Sequence, residues 1–170
     1  MSIKYRFDAE KALEVLLYIT KRVPDMYRAL KVLYFADKEH LAKYGRLICG
    51  DTYIAMEKGP VPSGVYDIVK HARGDGFCSV NIPIKEAITL QGYSIKPLRE
   101  ANLDYLSESE VECLNSAVEQ YGYLSFAQIK KLSHDDAAFK ESDENDQIPL
   151  EAIVKNLPDS ELILGYIANG

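Results

Sequence analysis

The side chains that could do chemistry in this chain are few, and they do not gather into a familiar constellation. Asp37 and His40 stand three residues apart. On a helix that spacing puts both on one face, where an acid–base pair or half a metal site could form. The plainer reading is a hydrogen-bonded pair near the helix surface. Ser133-His134-Asp135-Asp136 is a second cluster. Adjacent residues do not converge on one ion unaided, so Ser133 and Asp136 read first as residues of a helix start. Cys49 near His40 could act as a thiol nucleophile. Nothing local in the sequence lowers its pKa, and it reads as a buried structural cysteine. Gly74-Asp75-Gly76 lacks the glycine fingerprint of a nucleotide site, and there is no Walker lysine motif. These patterns predict no catalytic residue, no metal and no cofactor. The alternative they leave open is an enzyme working through Asp37, His40 or His134.

A different signal comes from the stretch Leu30 to Lys70. The chain has 12 tyrosines and no tryptophan, and Tyr34, Tyr44, Tyr53 and Tyr66 fall in this stretch. Tyrosine pairs a large apolar face with a polar tip and is enriched in binding hot spots. Half or more are expected in the core, with a few left for a partner. Gly59-Pro60-Val61-Pro62 reads as a rigid turn. Two prolines make a stiff lip that loses little entropy on binding, and the same turn would orient the helix that follows it.

The elements that must hold these residues are mostly helical. The first helix spans about Phe7 to Arg22, with Asp8 as N-cap. Pro24 is suited to the first turn of a second helix reaching Tyr44, apolar on most sides and so placed at the centre, with Gly45 as its stop. Thr52 to Met56 suggests a short extended piece. Ser63 is suited to cap a helix from Gly64 to about Arg73. Residues 77–84 and 88–95 suggest two short strands, with Pro83 at an edge or an end, giving a small hairpin inserted among helices. Ser107-Glu108-Ser109-Glu110 and Ser125-Phe126-Ala127-Gln128 are capping boxes. A short helix is expected from Pro149 to Asn156 and a last one from Ser160 to Ala168. Glu141 to Asp146 holds four acidic residues and no basic one, the composition of an exposed loop.

At 170 residues the chain fits one domain spanning 1–170. Its formal net charge of -6 opposes general nucleic-acid affinity, because lysine and arginine are needed to displace counterions. The basic pairs Lys21-Arg22 and Lys130-Lys131 read as solvated helix ends. Three widely spaced cysteines, Cys49, Cys78 and Cys113, form no disulfide framework and no zinc pair. No signal peptide or membrane-length apolar run is visible. The expected location is the cytoplasm.

The signature residues, taken in order, resemble the Panacea domain, the SocA-like antitoxin or phage-associated family of bacterial and phage toxin–antitoxin systems. The resemblance is carried by Leu33-Tyr34-Phe35-Ala36, then His40-Leu41-Ala42-Lys43-Tyr44-Gly45-Arg46, Gly50-Asp51-Thr52-Tyr53-Ile54-Ala55 and Gly59-Pro60-Val61-Pro62. It continues through Leu106-Ser107-Glu108-Ser109-Glu110, Tyr121-Gly122 and Leu132-Ser133-His134. Where the family often places tryptophan after Ser-His, this chain has Phe139. The resemblance implies an α+β, mostly helical domain that binds a cognate protein toxin from a neighbouring gene. Tyr34, Tyr44, Asp51, Tyr53, Gly59, Pro60, Val61, Pro62 and Tyr66 are its candidate toxin-binding residues. Many relatives carry an extra N-terminal DNA-binding region for which this chain has no room, so direct DNA binding is not expected. One branch of the family implies another mechanism, a proteolytic adaptor that hands the toxin to a ClpXP-type protease.

Overall fold

The computed structural model describes residues 6–76 and 81–169. Helix α1 (Ala9–Thr20) begins where Asp8 adopts extended backbone and its carboxylate accepts the Lys11 N–H. Helix α2 (Met26–Tyr44) is capped by Asp25, whose carboxylate accepts the Arg28 N–H. Pro24 therefore lies just outside the helix rather than in its first turn, and its carbonyl accepts the Ile95 N–H. Gly45 closes α2 in the left-handed region at φ 76°, a conformation that favours glycine.

Strand β1 (Tyr53–Met56) turns through Glu57-Lys58 into β2 (Gly59–Pro62), and the two pair antiparallel with Tyr53 opposite Pro62 and Met56 opposite Gly59. The Gly-Pro-Val-Pro segment is thus a strand and not a turn. Two prolines are tolerated because β2 is the edge of a sheet ordered β2-β1-β5. Pro60 and Pro62 lie two apart, so both lack an N–H on the side away from β1, where no ladder needs one. The third strand, β5 (Gln147–Ile148), pairs with Tyr53 and Ile54.

Helix α3 (Ser63–Arg73) follows β2 directly, with Pro62 rather than Ser63 at its N-cap and no cap from that position's side chain. After it come α4 (Ile84–Ala87), β3 (Ile88–Gln91) and β4 (Ser94–Pro97). The inserted hairpin exists, but both its strands lie within 88–97. Gly92 at φ 61° makes the turn in the middle of what reads as one strand. The expected strand at 77–84 is replaced over Ile84 by α4, and residues 77–80, with Cys78, fall outside the described part. Helices α5 (Glu108–Tyr121) and α6 (Phe126–His134) both open with complete capping boxes. The chain ends in α7 (Ala137–Lys140), α8 (Leu150–Lys155) with Pro149 at its N-cap, and α9 (Ser160–Asn169). The fold is α+β and mostly helical.

Helix α2 belongs to both of the apolar clusters that form the core. Ala29, Leu30, Val32, Leu33 and Ala36 join α1, α3, α5 and the hairpin. Tyr34 and Leu41 join Tyr53, Ile148, Leu150, Ile153 and Ile163. Its all-round apolar character is satisfied by packing on both sides, as a central helix requires. No helix among the described residues is long and apolar enough to cross a membrane.

Candidate functional site

The signature residues converge on the junction of α2, the three-stranded sheet and α7. Asp37, on the inner face of α2, is fully buried. Its Oδ1 accepts the Ile48 N–H at 2.7 Å, and its Oδ2 accepts the Tyr53 hydroxyl at 2.5 Å. Burial pushes its pKa up to about 7, against the lowering effect of those two hydrogen bonds. It does not pair with His40. The Arg46 carbonyl accepts from His40 Nδ1–H at 2.8 Å, which leaves Nε2 of the neutral ring to accept from the Ser109 hydroxyl at 2.9 Å. Burial lowers the His40 pKa, which favours that neutral ring.

One turn N-terminal to Lys38 on α2, Tyr34 packs edge-on against Tyr53, with ring centroids 4.9 Å apart. Its hydroxyl donates to Asp136 Oδ2 at 2.6 Å, and Lys38 Nζ donates to Asp136 Oδ1 at 2.5 Å. Asp136 also accepts the Phe139 N–H as the N-cap of α7. Asp136 does start a helix, but Ser133 lies inside α6, its hydroxyl bonded to the Ile129 carbonyl. Burial, reinforced by the neighbouring carboxylates, raises both tyrosine hydroxyls well above their ordinary pKa. The rings therefore stay neutral donors that tie α2 to β1 and α7.

Asp51 performs the task that sequence reasoning gave to Ser63. Its carboxylate accepts the N–H groups of Thr52, Gly64 and Val65 at 2.7, 2.8 and 3.0 Å. Two of these are otherwise unpaired donors of the first turn of α3. Capping through space spares Pro62 and Ser63 that role and fixes α3 to the end of β1. Asp51→Ala is expected to lower stability by about 2–3 kcal/mol, with Asp51→Asn costing less. Urea unfolding at neutral pH measures the difference.

The outer edge of β2 is covered rather than exposed. Along a strand, a residue's N–H and C=O point to the same side, so the Pro60 carbonyl faces away from β1. Lys31 of α2, buried at 1% exposure, donates its ammonium to that carbonyl at 2.6 Å and lies 5.0 Å from the Tyr27 ring centroid. Burial pulls the Lys31 pKa down to about 7. Gly59 (φ 114°) sits against this lysine and α6, where a β-carbon would come within 2.9 Å of Ser133 Cβ.

A third centre is Glu110, which the sequence marks only as a capping-box and signature residue. Its side chain closes the α5 capping box on the Ser107 N–H and meets Lys11 at 2.9 Å and Arg46 at 2.7 Å. Burial would raise its pKa, but these partners hold it at about 2. The signal was present in the capping box, whose Glu is also a charge. The cations that reach it come from positions 11 and 46, which no local pattern connects to it. Cys49 is a free, buried thiol whose pKa is raised well above ordinary by burial and by Asp37, the opposite of nucleophile activation. His134 lies 5.0 Å from the Phe139 ring, and its Nε2 is buried with no hydrogen-bond partner. Among the described residues, no three His, Cys, Asp or Glu side chains are placed to hold one metal ion.

The candidate residues thus divide by position. Tyr34, Asp51, Tyr53, Gly59, Pro60, Val61 and Pro62 are interior. Tyr44, at 40% exposure, and half-buried Tyr66, with Lys70 Nζ 4.7 Å from its ring centroid, reach the surface. The antitoxin SocA-like Panacea family model matches residues 30–140, a stretch that contains Lys31, Tyr34, Asp37, His40, Asp51, Tyr53, Glu110 and Asp136, while Lys11, Tyr27 and the sheet's third strand lie outside it. The chain belongs to the SocA-like Panacea family. No curated protein and no solved structure matches it. The Panacea match runs from Leu30, within α2, through α7, and it ends where the acidic loop after α7 begins.

Proposed function

We propose that this Panacea protein is an antitoxin that neutralises a protein toxin by binding it directly, without chemistry of its own. The observation that carries this reading is membership of an antitoxin family across residues 30–140. The geometry supports it from the other side. Asp37, His40 and Asp51 already have internal partners, and Cys49 is buried with a raised pKa. In this reading Tyr34, Asp51, Tyr53 and Gly59–Pro62 form the rigid floor, and Tyr44 and Tyr66 are the members of the signature that contact the toxin. Occlusion of the toxin's working surface is the mechanism.

Co-expression with the product of the adjacent gene tests this. Restored growth together with a complex that survives purification is the expected result. Restored growth with no complex and falling toxin levels that depend on a ClpXP-type protease would replace occlusion with the adaptor mechanism. The absence of both rescue and complex would overturn the antitoxin reading. Within a complex, Tyr44→Ala and Tyr66→Ala variants that fold and still bind at full affinity would remove those two residues from the interface.

A further inference from the structure

The formal charge of this chain is not spread evenly. Residues 1–140 contain 19 basic and 19 acidic side chains, while residues 141–170 contain seven acidic and one basic. The entire net charge of -6 therefore resides in the segment that follows the matched Panacea residues. Its single cation, Lys155, is occupied by Glu141 at 3.3 Å. Asp143, Glu144 and Asp146 of the loop, and Asp159 and Glu161 at the start of α9, are exposed.

The same segment presents exposed apolar side chains on its last helix. Helix α9 buries Ile163 against Leu150, Ile153 and Val154. Flanking that buried side, Leu162 is 76% exposed, the most exposed large apolar side chain among the described residues, and Tyr166, one turn further on, is 63% exposed. Residues four apart on a helix share a face. The Tyr166 ring rests on Gly45, where a β-carbon would come within 2.5 Å of Cδ1, so this face reaches the C-terminal end of α2, whose last residue is half-exposed Tyr44. Around that junction Lys43 is paired with Glu39 and Glu112, and Arg46 and Lys11 with Glu110, while Arg6 lines the same cleft as Gly45 and Ile167.

We propose that the outer face of α9, together with Tyr44, forms part of the docking surface for the toxin, beyond the signature residues, and that it takes a basic protein surface carrying an apolar anchor for Leu162 and Tyr166. The inference rests on the antitoxin reading and adds the place of contact and the chemistry of the partner. Charge complementarity chooses the occupant. A second copy of this chain would bring another acidic segment against the first and be repelled, whereas a cationic partner is drawn in from a distance and then held by the apolar pair.

The test uses the full chain and the product of the adjacent gene. Leu162→Ser alters a side chain that is mostly in solvent. Glu144→Lys with Glu161→Lys reduces the charge without touching the core. Both variants are expected to melt like the parent. Leu162→Ser should weaken toxin binding at least about tenfold, through faster dissociation. The charge variant should slow association about tenfold at low salt and flatten its dependence on ionic strength. Parent-like affinity and rates in both variants, with the complex intact, would overturn this docking face and leave the antitoxin reading standing. So would a parent dimer that Leu162→Ser dissociates without effect on toxin binding. If the parent chain neither forms a complex nor restores growth, the antitoxin reading falls and the docking face with it; growth restored without a complex overturns the docking face alone.

Discussion

Asp37→Ala should unfold this protein more readily than any other single truncation in the signature, by about 3–5 kcal/mol. The side chain is fully buried and accepts two hydrogen bonds, from Ile48 N–H and from the Tyr53 hydroxyl. Removing it strands both donors in the interior, where each unpaired group costs about 1–3 kcal/mol, and leaves a cavity beneath β1. Asp37→Asn separates the causes. The amide oxygen can still accept from Ile48, and the amide nitrogen can donate to the Tyr53 oxygen. Because burial pushes the Asp37 pKa to about 7, the carboxyl is already substantially protonated near neutrality, and a neutral isostere changes little. Asn is expected to retain all but about 1 kcal/mol. Urea unfolding of the three proteins at pH 7 reads this directly. An alanine variant as stable as the asparagine variant would show that the hydrogen bonds from Ile48 and Tyr53 contribute nothing net.

This junction also shows what could be read in the chain and what could not. Local chemistry was legible where one residue settles a local question. Asp8, Ser107, Ser125 and Gly45 each act on the first or last turn beside them, and each does so in the structure. Asp51 was legible as part of a motif but not as a cap, because the N–H groups it satisfies lie 13 and 14 residues away across a hairpin. The Gly-Pro-Val-Pro segment reads as a turn because proline lacks an N–H. It becomes a strand because the edge of a sheet does not ask for one, and the sheet itself depends on β5, more than 80 residues further along. Tyr34 and Asp136 are joined across 102 positions, and Lys31 finds its acceptor only once β2 exists. In the sequence Lys31 is only a polar residue on an otherwise apolar stretch of helix. The exposed tyrosines of the signature could not be told from the buried ones, since the ring serves either place equally well.

Stability should pass through a minimum near pH 7, an unusual place for one, set chiefly by Asp37 and Lys31, with Asp51, whose pKa burial also raises, acting in the same sense as Asp37. Asp37 has its folded pKa raised to about 7 from 3.8. Between those values the folded chain holds a proton that the unfolded chain has lost, so stability falls as pH rises, by on the order of 4 kcal/mol over the window. His40, its pKa lowered by burial, tilts the part below 6.5 the other way and reduces this fall. Lys31 has its folded pKa lowered to about 7 from 10.5. Between those values the unfolded chain holds the extra proton, so stability rises with pH, by on the order of 5 kcal/mol. Glu110, held at about 2 against 4.5, adds stability that is present above 4.5 and lost as pH falls through 2. Above pH 10 the raised Tyr34 and Tyr53 hydroxyls reverse the alkaline gain, because the unfolded chain then releases protons that the folded chain keeps. Urea unfolding from pH 3 to 10 would trace the curve, and two variants assign its limbs. Asp37→Asn should flatten the fall between about pH 4 and 7. Lys31→Met should flatten the rise above 7 and increase stability at pH 6–7 by about 2 kcal/mol, since relief from burying an ammonium outweighs the lost bond to the Pro60 carbonyl. If Lys31→Met were less stable than the parent at pH 6, that bond would be the larger quantity, and the lysine would hold the proline edge more strongly than its burial opposes it.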